Sequence, residues 1–528
     1  MYAFRDFLNE RLWRSYGLRV LILGLGIFLR VYQFPYNPPG FYVDEAGIGY
    51  EAFCLLNTGA DRWGIHLPVY FISWGSGQSV LYAYLSIPFI ATFGLNVFAT
   101  RLSSLFVGIL SIPLVYVTVR RIVGKEAALI AMLAFAILPW HIMISRWALD
   151  ANLFPFFLLL GTYTVARMLG QKVPRWGCLA LVPWGLALYA YGIGLLVVPV
   201  LLILVIISTL QAINLHRRAW LGALMIFILL ALPITLFAVK NFVTHTDLPF
   251  ENLLPFGVPL VPFSRIAQVS SQPVDERLIN SFLIALMGFQ DNEIKNSLPG
   301  IAPMFWVCLP LALVGGFVKI RESHQTGRVD LFLLWLVTCI PLLFLWDMAV
   351  NRVNAIFIPL LVVAVEGMLY LARVLVGTSR AIFLLGVGFL VMLQASVFVT
   401  DYFGVYPRMP DTELAFYKGF ERALHRGIAT AAPTEAILVT NRILLPYFLV
   451  AFYSRYPPLE YQRDLRYTLD YGTVNVQSLG RYYFDVEHLP KDQPTFVYVL
   501  AKWDEVPCPD PRMLLETRLW QVGRCVHQ

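Results

Sequence analysis

The sequence predicts an all-α polytopic membrane protein that carries a small α/β domain at its C-terminal end. Three observations lead there. Hydrophobic residues fill 58% of the 528 positions and charged residues only 14%, against about 45–50% and 25% in soluble domains, and the mean hydropathy is +0.66. Apolar runs recur at close to the roughly 20 residues a helix needs to cross the hydrocarbon core. From Asp401 the composition turns to charges, prolines and short β-like runs such as Ala436-Ile437-Leu438-Val439-Thr440 and Thr495-Phe496-Val497-Tyr498-Val499-Leu500. The chain therefore divides into a membrane domain, residues 1–400, and a water-soluble domain, residues 401–528.

By that ruler there are about eleven spans, and the positive-inside rule orients them. The first, residues 17–34, follows Arg5, Arg11, Arg14 and Arg19, which puts the N-terminus in the cytoplasm and Asp44 outside. It meets Pro35-Tyr36-Asn37-Pro38-Pro39-Gly40 and no small-residue cleavage site, so it reads as a retained span. Residues 80–94 are apolar but short and contain Pro88, which suits a re-entrant or interfacial segment. Residues 97–119 end in Arg120, Arg121 and Lys125; these belong in the cytoplasm, so the run descends and residues 35–96 form one external loop. Residues 127–144 climb back, and Asp150 emerges on the face of Asp44.

Spans near 153–168, 176–191, 193–210 and 219–239 continue the alternation. A proline-rich external loop, residues 240–301, is long enough to roof a functional site. Spans near 303–319, 331–346, 355–371 and 381–399 then leave the soluble domain outside. There Cys508 and Cys525 would meet an oxidising compartment and could pair. The six cysteines show no CxxC spacing for metal or redox chemistry. The net charge of +7 resides in short loops, where it orients the chain instead of binding nucleic acid.

Ionisable residues at membrane edges are costly, and they mark chemistry. An acidic pair, Asp44-Glu45, follows the first span, and Asp150 lies on the same face with arginines and histidines nearby. Such a set suits sugar transfer from a lipid-phosphate donor. One carboxylate accepts the proton of the attacking hydroxyl, and cations stabilise charge building on the leaving phosphate. The donor's polyprenyl tail stays in the bilayer. A divalent cation is compatible with Asp44 and Glu45, although nothing at ligand spacing requires one.

The order of Asp44-Glu45, the stretch from Gly75 to Gly94 leading into Thr100-Arg101-Leu102-Ser103-Ser104, Leu138-Pro139-Trp140-His141 and Ser145-Arg146-Trp147-Ala148-Leu149-Asp150 resembles the GT-C glycosyltransferases. It is most similar to the group of protein O-mannosyltransferases and lipid A aminoarabinose transferases. The likeness is good over about residues 15–240, looser through the later spans and weak in the soluble domain. It implies a polyprenyl-phosphate sugar donor, an extracytoplasmic acceptor and an inverting displacement. It implies Asp44 as base or acceptor-orienting carboxylate with Glu45 beside it, and Asp150 as a second essential acid. Arg101, with Arg146 and Arg352, would hold the donor phosphate, and His66, Trp74 and His141 would line the substrate. Trp74-Gly75-Ser76-Gly77-Gln78 stands where aminoarabinose transferases carry a Lys-Pro-Pro-like element, so the lipid A acceptor does not carry over. The β-trefoil repeats of eukaryotic protein mannosyltransferases are not visible.

Each residue also has a plainer reading. Asp44 could cap a helix, Asp150 could pair with Arg146, and Arg101 could snorkel to headgroups. His66 and His141 could be satisfied interfacial polar groups, Arg352 half of an ion pair, and Trp74 part of an aromatic belt. Asp330 and Glu366 read as structural. The main alternative is a transporter or lipid flippase, which would show duplicated halves, broken helices and mid-membrane charges. Here the acids gather at one face. A non-catalytic scaffold would not need both Asp44 and Asp150.

Overall fold

The computed structural model describes all residues except 1, 74–76, 171–175, 211–216, 248, 263–272, 274, 277, 281–290, 292, 328–329, 343–348, 471–472, 492 and 527–528. The membrane domain comprises α1 (Tyr2–Val31), α2 (Val43–Thr58), α3 (Leu81–Phe93), α4 (Val97–Ile122), α5 (Lys125–Ala136), α6 (Pro139–Ile144), α7 (Phe154–Leu169), α8 (Val182–Ala187), α9 (Gly194–Ser208), α10 (Arg217–Val239), α11 (Cys308–Thr326), α12 (Leu331–Cys339), α13 (Phe357–Val374) and α14 (Gly377–Gly404). Among the described residues, five stretches are long and apolar enough to cross a bilayer: Val97–Ile122, Asp150–Leu169, Arg217–Thr244, Asn354–Val374 and Gly377–Arg408. Shorter apolar helices such as α3 and α9 carry other runs. The expected run over 331–346 continues past α12 into residues outside the described set.

α14 shows why the chain needs lipid. Its Leu385 and Phe389 are 73% and 65% exposed; in water each would forgo roughly 1.5–3 kcal/mol of burial, whereas acyl chains remove that cost. Inside the bundle, α11 and α13 cross at Gly315 and Gly367. A Cβ at Gly315 would collide with the Val363 carbonyl oxygen and reach within 2.9 Å of the Gly367 nitrogen. Small residues let the two backbones approach this closely.

The boundaries of α4 follow from its sequence. Asn96 caps it by accepting the Ala99 N–H at 2.9 Å, and Arg120 and Arg121 sit in its last turn, where the helix dipole favours cations. α3 runs back along the start of α4: the Tyr82 hydroxyl donates to the Thr100 carbonyl at 3.1 Å, and Ser86 meets Ser103 at 2.9 Å. It therefore covers only the first turns of α4 and does not cross beside its full length.

The C-terminal sheet domain contains α15 (Pro410–Ala415), α16 (Phe420–Thr430), α17 (Pro446–Tyr453) and α18 (Pro458–Asp464) around a sheet of seven strands among the described residues. Its strands are β1 (Ala436–Val439), β2 (Leu465–Asp470), β3 (Thr473–Leu479), β4 (Tyr482–Tyr483), β5 (Thr495–Ala501), β6 (Arg512–Glu516) and β7 (Trp520–Val526), in the order β2-β3-β4-β1-β5-β7-β6. β1 pairs in parallel with β4 and β5, and all four of its residues are buried, as an apolar central strand requires. Cys508 and Cys525 form a disulfide. The domain sits on the first loop: Phe41 packs on Phe452 with centroids 4.6 Å apart, and the Arg62 guanidinium lies 4.0 Å from the Phe448 ring centroid.

Candidate active site

α2 begins at the acidic pair, and the two acids have opposite fates. Glu45 is fully buried. Its Oε2 accepts the Tyr42 N–H at 3.0 Å, which closes the first turn of α2. Its two oxygens also receive Nε and Nη2 of Arg101, both at 2.7 Å, and Oε1 accepts the Ala148 N–H at 2.8 Å. Asp44, one residue earlier, is half-buried. Its charge reaches Tyr417, whose hydroxyl is pushed up to about 12 by burial and further by the charges of Asp44 and Glu293.

These contacts begin a closed ring of segments. From Ala148 the chain reaches Asp150, whose Oδ2 accepts the Ser79 N–H at 3.3 Å and Oδ1 the Ala151 N–H at 2.9 Å. The Ala151 carbonyl accepts from Asn354 at 2.7 Å, which brings in the turn bearing Arg352. In that turn the Val350 N–H donates to Asp291 at 2.8 Å, and Asp291 also accepts from Asn296 at 3.0 Å. The same stretch carries Lys295, whose ammonium pairs with Glu293 and lies 4.2 Å from the centroid of the Tyr42 ring. Tyr42 precedes α2, so the ring closes beside Asp44. The segments that bear Asp44, Asp150, Lys295 and Arg352 thus meet at one end of the bundle.

The site differs from the expectation at several residues. Arg101 is fully buried, and beyond its bonds to Glu45 it donates to the carbonyls of Pro35 at 2.6 Å, Pro38 at 2.9 Å and Gly40 at 2.9 Å. All five of its N–H groups are committed, so no donor remains for a phosphate: Arg101 is a brace. Arg146, also fully buried, donates to the carbonyls of Asn37, Leu29, Arg30 and Tyr32 at 2.6–3.2 Å. It caps the C-terminal end of α1 and does not pair with Asp150.

His141 is buried, with Nδ1 2.6 Å from Nη2 of Arg30, whose guanidinium in turn caps α5 through Phe135 and Ala136. It is part of the scaffold and not a substrate ligand. His66 is exposed past the far end of α2, roughly 20 Å from Asp44 at 1.5 Å per residue. Trp74 lies outside the described residues. Arg352 is exposed. Asp330 caps α12, and Glu366 pairs with Lys319 at 2.6 Å, both structural as expected.

Sequence reasoning did not single out Lys295, Glu293 or Asp291. All three lie in the loop of residues 240–301, expected to roof a site, and their contacts carry no signature in the sequence. Among the described residues no group of three or more His, Cys, Asp and Glu could hold a metal ion.

Comparison with known proteins follows the same lines. Residues 64–248 match the family model described as dolichyl-phosphate-mannose-protein mannosyltransferase. ArnT from Cupriavidus metallidurans in the apo state superposes with a TM-score of 0.58 at 14% identity, covering 97% of this chain and 98% of that one. The same protein bound to undecaprenyl phosphate gives 0.57 at 13% identity over 96% and 98%. AglB, the oligosaccharyltransferase of Archaeoglobus fulgidus, in complex with an inhibitory peptide and a dolichol-phosphate, gives 0.51 at 13% identity over 84% of this chain and 64% of that one. The search of curated proteins returned no match. The chain is a multi-pass membrane protein with the fold of the GT-C glycosyltransferases. Within that fold, residues 64–248 are the stretch similar to the mannosyltransferase model.

Proposed function

We propose that this protein is a membrane glycosyltransferase that moves a sugar from a polyprenyl-phosphate donor to an extracytoplasmic acceptor. The observation that carries the reading is the ring that joins Asp44, Asp150, Lys295 and Arg352 at one end of the bundle. The family match to dolichyl-phosphate-mannose-protein mannosyltransferases supports the class of donor. So do the fold neighbours solved with undecaprenyl phosphate and dolichol-phosphate.

In the proposed reaction the acceptor hydroxyl gives its proton to Asp44 as its oxygen bonds to the sugar's anomeric carbon. The bond from that carbon to the phosphate oxygen breaks with inversion, and the electron pair leaves with polyprenyl phosphate. Lys295 and Arg352 take up the growing phosphate charge, Lys295 by exchanging Glu293 for the phosphate. Asp150 orients the edge of the first loop through Ser79 and lies beside the reacting groups. Glu45 and Arg101 hold the start of α2 so that Asp44 is presented. The ring faces the extracytoplasmic side, with the basic end of α4 in the cytoplasm.

The experiment is mass spectrometry of envelope glycans, glycolipids and glycoproteins from a strain lacking the gene. The expected result is loss of one sugar modification, which names sugar and acceptor together. Unchanged profiles together with defective solute or lipid movement would favour a transporter.

A further inference from the structure

At the other end of α4, 19 residues and so roughly 30 Å from Arg101, a cavity of about 770 Å³ opens between α4, α7 and the start of α12. Its wall combines Arg120, Arg121 and Tyr163 with apolar Val117, Leu169 and Leu331, and no carboxylate is among the described residues that line it. Arg121 is half committed: Nε donates to the Ala166 carbonyl at 2.9 Å and Nη2 to Arg167 at 3.3 Å, which caps α7. Gly170 makes room for that guanidinium, since a Cβ there would collide with Nη2. Nη1 of Arg121 and the exposed Arg120 carry no partner among the described residues. Among the described lining residues, two cations therefore face the cavity without a carboxylate beside them, and the nearby Asp330 is turned to the N–H groups of Phe332 and Leu333.

We infer that this cavity is a binding site for an anionic phospholipid of the leaflet opposite the candidate active site. The phosphate takes the free N–H groups of Arg120 and Arg121 and the Tyr163 hydroxyl, and the upper acyl chain lies along Val117, Leu169 and Leu331. The volume is that of an ordinary ligand site. The apolar wall distinguishes a lipid from free phosphate. With Arg120 and Arg121 and no carboxylate among the described lining residues, the wall disfavours headgroups that carry a balancing ammonium, so a net negative headgroup fits better. Basic pockets between helix ends bind headgroups on this electrostatic basis. The inference is independent of the proposed transfer reaction, since neither arginine belongs to the site at the other end.

The test is native mass spectrometry of the full chain in detergent, titrated separately with phosphatidylglycerol, phosphatidylcholine and inorganic phosphate. Phosphatidylglycerol should be retained preferentially, and Arg120→Gln should weaken its retention roughly fivefold without moving the melting temperature, because exposed Arg120 makes no hydrogen bond or ion pair with the described residues. Gly170→Ala, which displaces the Arg121 guanidinium, should weaken retention as well. Equal retention of the two lipids, or unchanged phosphatidylglycerol binding in Arg120→Gln, overturns the site. Displacement of the lipid by equimolar inorganic phosphate overturns the lipid and assigns a soluble anion.

Discussion

The Glu45 carboxylate receives Nε and Nη2 of Arg101 at 2.7 Å each, in a place where neither side chain meets solvent. The pair ties the first turn of α2 to α4, and through Ala148 it reaches the segment that ends in Asp150. Removing one partner of such a buried pair costs about 3–5 kcal/mol because the other charge is left unpaired. Glu45→Ala and Arg101→Ala should each unfold at markedly lower temperature, measured by differential scanning fluorimetry in detergent. Arg101→Lys should not rescue, since one ammonium cannot replace a guanidinium that serves Glu45 and three carbonyls.

Asp44 should behave in the opposite way. It is half-buried and Glu45 holds its backbone, so Asp44→Asn should keep the melting temperature within a degree or so. Loss of a general base lowers turnover by about 10²–10⁴-fold. Purified variants assayed for release of polyprenyl phosphate from the donor separate the two carboxylates: stability falls at 45 and activity at 44.

This contrast marks where sequence reasoning ends. The membrane class, the positions of α4, α7, α10, α13 and α14 and the change of composition at Asp401 were all legible, because hydropathy, helix length and charge placement act locally. The shared face of Asp44 and Asp150 was legible through charge parity alone. The division of labour inside Asp44-Glu45 was not, since it depends on a partner 56 residues away in the chain. Arg101 and Arg146 were drawn to phosphate by their charge. Arg146 serves backbone carbonyls alone, and Arg101 serves three carbonyls and the distant Glu45, none of which carries a sequence signature. Lys295 was hidden for the reverse reason: it lies in a loop without periodicity and reaches Tyr42 only through folding.

The two cations of the ring should fail in proportion to their closeness to the phosphate. Lys295→Met and Arg352→Gln should each lower kcat, by on the order of 10²-fold where the cation touches the leaving group, with little change in melting temperature. Glu293→Gln, which frees Lys295 from its resting partner, should lower KM for the donor. Steady-state kinetics with varied donor distinguishes these effects.

The joint between the first loop and the soluble domain should respond to pH. Burial raises the Asp61 carboxyl against the N–H groups of Ile65, Trp63 and Gly64 that favour its charged form. Burial likewise raises Glu51, opposed by Arg62 at 3.1 Å. An acid whose folded pKa lies above its unfolded value holds its proton more tightly when folded, so its contribution is full below the unfolded pKa and is lost as pH rises through the folded one. Stability should therefore decline from about pH 4 toward neutrality. Asp61→Asn, which keeps an oxygen for the same N–H groups, should flatten that decline in melting curves taken across the range.

The most direct measurement complements a deletion strain with wild-type protein or with Asp44→Asn at matched membrane levels and compares envelope glycan masses. Wild type should restore the missing sugar and Asp44→Asn should not. Full restoration by Asp44→Asn would contradict the assignment of Asp44 as the base of a glycosyl transfer.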